Sequence, residues 1–243
     1  MSTHYQEFAP PERLKQFVEC FWTHKPGNSI SEYAVLPDGC VDIVYSPNVA
    51  RELQVVGTMT SARRFALSAG GFQFGVRFRP AMSQAFLPVP GLDTTDQLID
   101  LSDIWGSDAR RLTEQISEAQ SVRQCIGLIE ERLRNPIDVT LVQRLCASIV
   151  EQDGQVRIDD LAFEAGLSAR QLRRLFLEQV GLSPKHFCRV IRFRSSLARL
   201  PQPGRGDWAR VALDCGYYDQ AHFINEFRQF SGYTPGEFAA LER

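Results

Sequence analysis

The chain has 243 residues, 44% hydrophobic and 23% charged, with a net charge of −2. That is an ordinary globular profile, long enough for two domains, and it excludes a disordered or collagen-like chain. No apolar run approaches the roughly 18 residues of a membrane span. The start, Met1-Ser2-Thr3-His4-Tyr5-Gln6-Glu7, has neither the basic nor the apolar part of a signal peptide, so a cytoplasmic protein is expected.

Residues 1–20 lead into Leu14, Phe17, Val18 and Phe21, whose spacing predicts a short amphipathic helix. From about residue 31 to 79 the pattern turns to strands: Glu32–Leu36, Val41–Tyr45, Leu53–Thr58, Arg64–Ser68 and Gly71–Phe78. Turns at Pro37-Asp38-Gly39, Ser46-Pro47-Asn48 and Gly70-Gly71 separate them. Gln73, Gly75, Arg77 and Arg79 alternate with Phe72, Phe74, Val76 and Phe78, the period of a half-buried strand. Arg77 and Arg79, with Trp22, are candidate effector-binding residues, the arginines suiting an anion. A solvated strand face or a structural ion pair is the competing reading. A short helix is expected from Pro80 to Phe86.

Helical spacing returns at Asp108–Glu118, Val122–Arg134 and Val139–Glu151, with a break at Asn135-Pro136. Cys125, Ile126, Ile129 and Leu133 make an apolar stripe, suited either to packing within the chain or to a dimer seam. Six cysteines stand singly, without a CxxC pair, so neither a disulfide framework nor a zinc site is expected. Cys20 and His24 lie four apart with Cys40 as the sole helper, too few ligands for a metal. No metal and no cofactor are expected; oxidant sensing by a cysteine stays open.

The C-terminal third writes one pattern twice. Leu161-Ala162, Ala165-Gly166, Ser168, Leu172, Phe176, Gly181, Ser183 and Pro184 are followed by Val211-Ala212, Cys215-Gly216, Asp219, Phe223, Phe227, Gly232, Thr234 and Pro235. The copies are 50 positions apart up to the turn glycines and 51 apart from the N-caps onward, so the second turn is one residue longer. Each copy reads as helix-turn-helix: a small-residue helix, a glycine that ends it, a Ser or Asp N-cap, then a second helix. Leu172, Leu175 and Phe176 face one side of the first such helix and Arg170, Arg173 and Arg174 the other; Phe223, Phe227 and Phe230 oppose His222, Asn225 and Gln229 in the second. Arginine suits guanine edges and phosphates, Asn and Gln suit adenine. A connecting helix from Pro184 to about Leu200 forms a rod of roughly 25 Å, fit to hold two readers in successive major grooves. Charge is divided accordingly: 14 basic and 18 acidic residues precede Asp153, while 13 and 11 follow from it.

On these residues the pair of motifs resembles the DNA-binding domain of the AraC/XylS transcription regulators, over roughly residues 153–240. The resemblance implies base- and backbone-reading roles for Arg170, Arg173 and Arg174 in the first half and for Gln220, His222 and Asn225 in the second. The family usually has Arg where this chain has Asn225, and Glu226 beside it adds a negative charge near phosphates, which puts the second half's grip in doubt. Leu36-Pro37-Asp38-Gly39-Cys40, Asp42-Ile43, Gly57 and Gly75-Val76-Arg77-Phe78-Arg79-Pro80 resemble the N-terminal domain of some AraC-type regulators. That implies a small barrel of cupin type, here without clustered histidines for a metal.

The expected fold class is therefore α+β. A mainly β effector-type domain with flanking helices occupies residues 1–105, and a helical connector with scope for dimerisation 106–152. An AraC-type DNA-binding domain of two helix-turn-helix motifs joined by a long helix occupies 153–243. The expected function is a non-enzymatic, sequence-specific transcription regulator of the activator class, although the residues themselves leave activation and repression open. Arg170, Gln171, Arg173, Arg174, Gln220, His222, Asn225 and Arg228 are its DNA-binding residues. Its partners are double-stranded promoter DNA and a small-molecule effector, with RNA polymerase and a second copy of the chain as further candidates. Two other classes compete: a sensor or scaffold that has lost DNA binding, and an alkyl-transfer DNA-repair protein, which needs a zinc-supported cysteine that Cys20 and Cys40 do not supply.

Overall fold

The computed structural model describes residues 4–25, 31–47, 49–50, 52–67, 72–201 and 207–241. Met1–Thr3, Asn48, Ser68 and Gly70-Gly71, which bear on expectations above, lie outside them.

Eight strands occupy the N-terminal part: β1 (His4–Phe8), β2 (Val18–Lys25), β3 (Ser31–Val35), β4 (Val41–Tyr45), β5 (Gln54–Val56), β6 (Arg63–Leu67), β7 (Gln73–Phe78) and β8 (Leu98–Asp100). Six of them form one antiparallel sheet in the order β1-β2-β7-β4-β5-β8, and β3 pairs with β6 as a separate ribbon. The helix expected from Leu14, Phe17, Val18 and Phe21 shrinks to one 3-10 turn, Glu12–Leu14, and Val18 onward is β2. Val18 and Cys20–His24 are all buried, so β2 shows no polar alternation, and its apolar spacing mimics a helix by accident. The short helix expected after Pro80 is likewise a 3-10 turn, Met82–Ala85.

Successive residues of a strand point to opposite faces of its sheet, and this sorts the large sheet cleanly. Phe21, Ile43, Val55, Phe74, Val76 and Phe78 enter an apolar core. That core is closed by α3 (Ser107–Glu118) and α4 (Val122–Arg132) through Leu112, Ile116, Cys125, Ile129 and the following Leu133. The apolar stripe of α4 is thus buried within the chain. Two four-residue helices, α1 (Gly91–Thr94) and α2 (Ser102–Trp105), flank β8. The opposite face of the sheet carries Trp22, His24, Asp42, Gln73 and Arg77, and the β3/β6 ribbon lies across it: Tyr33 Oη donates to Gln73 Oε1 at 3.2 Å.

The rest is helical: α5 (Leu141–Glu151), α6 (Ile158–Glu164), α7 (Ala169–Val180), α8 (Pro184–Leu197), α9 (Trp208–Asp214), α10 (Gln220–Ser231) and α11 (Pro235–Leu241). Leu172, Phe176, Phe187, Phe193, Phe223 and Phe227 form its buried centre, and α5 joins this second core through Val142, Leu145, Cys146 and Ile149. The α8 rod has 14 residues, about 21 Å, shorter than expected because it ends at Leu197.

The two parts meet at the C-terminal ends of α7 and α10. Gly91 and Gly181 pack backbone to backbone: a Cβ on Gly91 would fall 2.3 Å from the Gly181 nitrogen, so no side chain fits there. The amide of Ala62 donates to the Phe230 carbonyl at 2.8 Å, and Arg64 donates to Tyr233 Oη at 3.0 Å. On α8, Arg194 pairs with Glu19 of β2.

Candidate nucleic-acid interface and effector cavity

Helix α7 begins at a reciprocal cap. Ser168 Oγ accepts from the Gln171 amide at 3.3 Å, while Gln171 Oε1 accepts from the Ser168 amide at 2.9 Å. This satisfies two amides that the first helical turn leaves without partners. The preceding turn pivots on Gly166 at φ 65°, and the helix ends at Gly181 with φ 81°. Leu172, Phe176 and Val180 are buried, whereas Arg170, Gln171, Arg173 and Arg174 are exposed. Among the described residues, none of the three arginines has an ion-pair or hydrogen-bond partner within the chain. Gln171 differs: its amide oxygen is engaged by the cap.

Helix α10 has the same frame with other chemistry. Asp219 Oδ1 accepts from the His222 amide at 2.7 Å, and Gly232 ends the helix at φ 83°. Gln220, His222, Asn225 and Arg228 are exposed, as the reading of the second copy requires, and Phe223, Phe227 and Phe230 are buried. The Nδ1 of His222 accepts from the Tyr218 amide at 3.5 Å, which leaves that ring partly committed to its own turn. Glu226 does not face outward as its neighbour Asn225 does. Its side chain is 4% exposed and lies between Arg189 (2.6 Å) and Arg192 (3.4 Å) of α8. The negative charge expected near phosphates is therefore buried and neutralised. The sequence hides this because the partners are 37 and 34 positions away on another helix.

The polar face of the large sheet lines a cavity of about 850 Å³. Asp42 on β4 and Arg77 on β7 are direct cross-strand partners. Asp42 Oδ1 accepts from Trp22 Nε1 at 3.1 Å and from Arg77 Nε at 3.3 Å, and Asp38 stands 3.8 Å from the same nitrogen. Burial pushes the Asp42 carboxyl up to about 6, against the pull of Arg77, while the Asp42 carboxylate raises Arg77 further. Trp22 lies on Gly75, where a Cβ would come within 2.4 Å of the indole. Of the three effector candidates, Trp22 and Arg77 line this cavity and Arg79 does not. Arg79 donates to the Lys15 carbonyl at 2.7 Å and borders a separate cleft of about 740 Å³ with Glu19, Arg144, Arg194 and Arg199.

All six cysteines are buried and unpaired. Burial pushes Cys20 up to about 12 and Cys40 well above the usual thiol range, so neither offers a thiolate nucleophile at neutral pH. Among the described residues, no three His, Cys, Asp or Glu side chains gather as a metal site.

Residues 161–240 match a family model described as a helix-turn-helix domain, and residues 6–100 match one described as a domain of unknown function, DUF6597. Residues 161–240 thus form a helix-turn-helix domain of the AraC type. The transcriptional activator RhaR of Pectobacterium atrosepticum is 31% identical over 162 residues, which cover 61% of this chain and 54% of RhaR. The regulator MtrA of Neisseria gonorrhoeae is 32% identical over 98 residues, 40% of this chain and 31% of MtrA. The chain thus spans about a third to a half of the curated relatives it matches. Among solved structures, ToxT of Vibrio cholerae aligns with a TM-score of 0.44 at 13% identity, covering 99% of this chain and 98% of ToxT. An AraC-type regulator of Chromobacterium violaceum aligns with a TM-score of 0.35 at 27% identity, covering 40% and 91%. No helix among the described residues is long and apolar enough to cross a membrane.

In the N-terminal part, sequence reasoning missed most of the cavity wall. Tyr5 and Glu7 lie on the unexpected strand β1, and Tyr33 and Phe65 on the facing ribbon. The signal that could have found them is the polar alternation of Gln73, Gly75 and Arg77: a face too polar for a core, opposite a run of aromatic residues.

Proposed function

We propose that this protein is a sequence-specific, double-stranded-DNA-binding transcription regulator controlled by a small molecule held in its N-terminal part. The observation that carries the reading is the matched pair of helices α7 and α10. Each follows a glycine turn, starts at a side-chain cap, ends at a left-handed glycine, and turns uncommitted polar side chains outward. Such helices read base edges in a major groove, and two of them on one chain address two groove segments about one helical turn apart. Arg170, Arg173 and Arg174 supply charge for guanines and phosphates; Gln220, His222 and Asn225 supply hydrogen bonds, and Arg228 a phosphate contact. The N-terminal part through α4 is the effector unit, and α5 travels with the reader because its apolar face is buried there. Regulation at a promoter in the cytoplasm, with no reaction catalysed, follows from this reading.

Selection of random duplex DNA by the purified full-length protein at near-physiological salt tests it. Two enriched blocks centred about one helical turn apart are expected. Absence of any enrichment, with and without cell extract to supply an effector, sinks the proposal and returns the sensor-or-scaffold reading.

A further inference from the structure

The cavity between sheet and ribbon has a chemistry of its own. Its walls carry a chain of rings: Tyr5 to Trp22 at 6.2 Å, Tyr5 to His24 at 6.1 Å, His24 to Tyr33 at 5.0 Å and Tyr33 to Phe65 at 5.8 Å between centroids. Burial holds His24 down and the Tyr5 and Tyr33 hydroxyls up, so all three are neutral near pH 7.

The charges in this space do not balance. Carboxylates come from Glu7, Asp38 and Asp42, and cations from Arg77 and Arg194. Arg77 is already held by both aspartates, and Arg194 is paired with Glu19 outside the cavity lining. An incoming anion would find no uncompensated cation, while a cation would find surplus negative charge and the negative faces of the rings. Asp42 sits at the floor, 7% exposed as a residue. Among the described residues both of its hydrogen bonds fall on Oδ1, which leaves Oδ2 as an acceptor inside the cavity.

From this arrangement we infer that the cavity binds a small organic cation, a protonated amine or quaternary ammonium on an aromatic or apolar body, with its charge toward Asp42. A space of about 850 Å³ suits a ligand of one or two rings. The inference rests on the reading of this cavity as the effector site. Two of the wall residues, Arg194 and Leu197, belong to α8, the rod between the two readers. A ligand filling the cavity therefore touches the element that spaces α7 and α10.

The test is isothermal titration of the full-length protein at neutral pH with three probes of one skeleton: 2-phenylethylamine, 2-phenylethanol and phenylacetate. The amine binds about tenfold more tightly than the alcohol, and phenylacetate most weakly. Asp42→Asn reduces the amine's advantage. Glu7→Gln, at the exposed rim, reduces it too and covers the case in which the Asp42 variant does not fold. Preference for phenylacetate would overturn the inference in favour of an anion site on Arg77. Equal affinity for amine and alcohol, or no heat from any probe at millimolar concentration, also overturns it. Selection of DNA without any probe reports on the regulator reading separately, so the two failures are distinguishable.

Discussion

The two helix-turn-helix units share a frame and differ in where they put charge. Position by position, Arg170, Arg173, Arg174 and Leu175 of α7 correspond to Ala221, Ile224, Asn225 and Glu226 of α10. The first unit meets its neighbours through apolar contact, Phe176 against Phe187 at 6.1 Å, and a neutral hydrogen bond from Thr140 Oγ1 to Gln179 Oε1 at 2.7 Å, and keeps its arginines for the outside. The second turns its one carboxylate inward: Glu226 fastens α10 to α8, and Arg189 lies over the Phe230 ring at 5.2 Å while Arg192 lies over Tyr217 at 4.9 Å. A duplicated motif can thus divide the work. On the proposed reading, one half would supply salt-dependent grip, while the other would supply hydrogen-bond selectivity on a helix anchored by a buried ion pair.

The largest expected effect comes from breaking that anchor. Glu226→Ala leaves Arg189 and Arg192 without their counter-charge. Breaking a buried pair costs about 3–5 kcal/mol; the guanidiniums are partly exposed, 24% and 18%, so about 2–3 kcal/mol is expected by denaturant unfolding. The equivalent Leu175→Ala removes only partly buried apolar surface and costs less. Equal losses at the two positions would show that the ion pair is not what distinguishes the units. On DNA the asymmetry reverses. Arg174→Ala costs about 1–3 kcal/mol of binding with relaxed selectivity at one base if the guanidinium is bidentate to it. If it meets phosphate alone, binding weakens evenly across sequences and the salt slope falls by about one.

The repeat was legible because its signals are local: a cap, a turn glycine and an apolar stripe all lie within one unit. Every expected reading residue is indeed exposed. What escaped is non-local. Glu226 looks like a surface charge until Arg189 and Arg192 arrive from another helix. The alternation of Gln73, Gly75 and Arg77 gives the right strand but cannot distinguish bulk water from a cavity under a ribbon, and Arg79 falls outside once β7 has ended. β2 was hidden because both its faces are buried, and the apposition of Gly91 and Gly181 joins residues too distant for any window to connect.

The caps give a smaller test of the same comparison. Ser168→Ala removes the hydroxyl arm of a reciprocal box, while the backbone amide at 168 keeps its bond to Gln171, and Asp219→Ala removes a single contact; each costs about 1 kcal/mol of stability by denaturant unfolding.

The smallest expected effect is the most discriminating. Asn225→Arg gives α10 the charge that α7 has at Arg174. Asn225 is exposed and, among the described residues, has no hydrogen-bond partner, so the replacement disturbs little of the fold. Because Glu226 is neutralised beneath it, the new guanidinium remains available to the outside rather than pairing locally. Affinity for duplex DNA should rise a few-fold, and the slope of log K against log salt should steepen by about 0.9, the release of counterions from one phosphate. A steeper slope with unchanged sequence preference means the position meets backbone. A changed base at one site means it reads an edge. No change in either would place Asn225 off the DNA and leave the first unit, with its three arginines, as the chain's main reader.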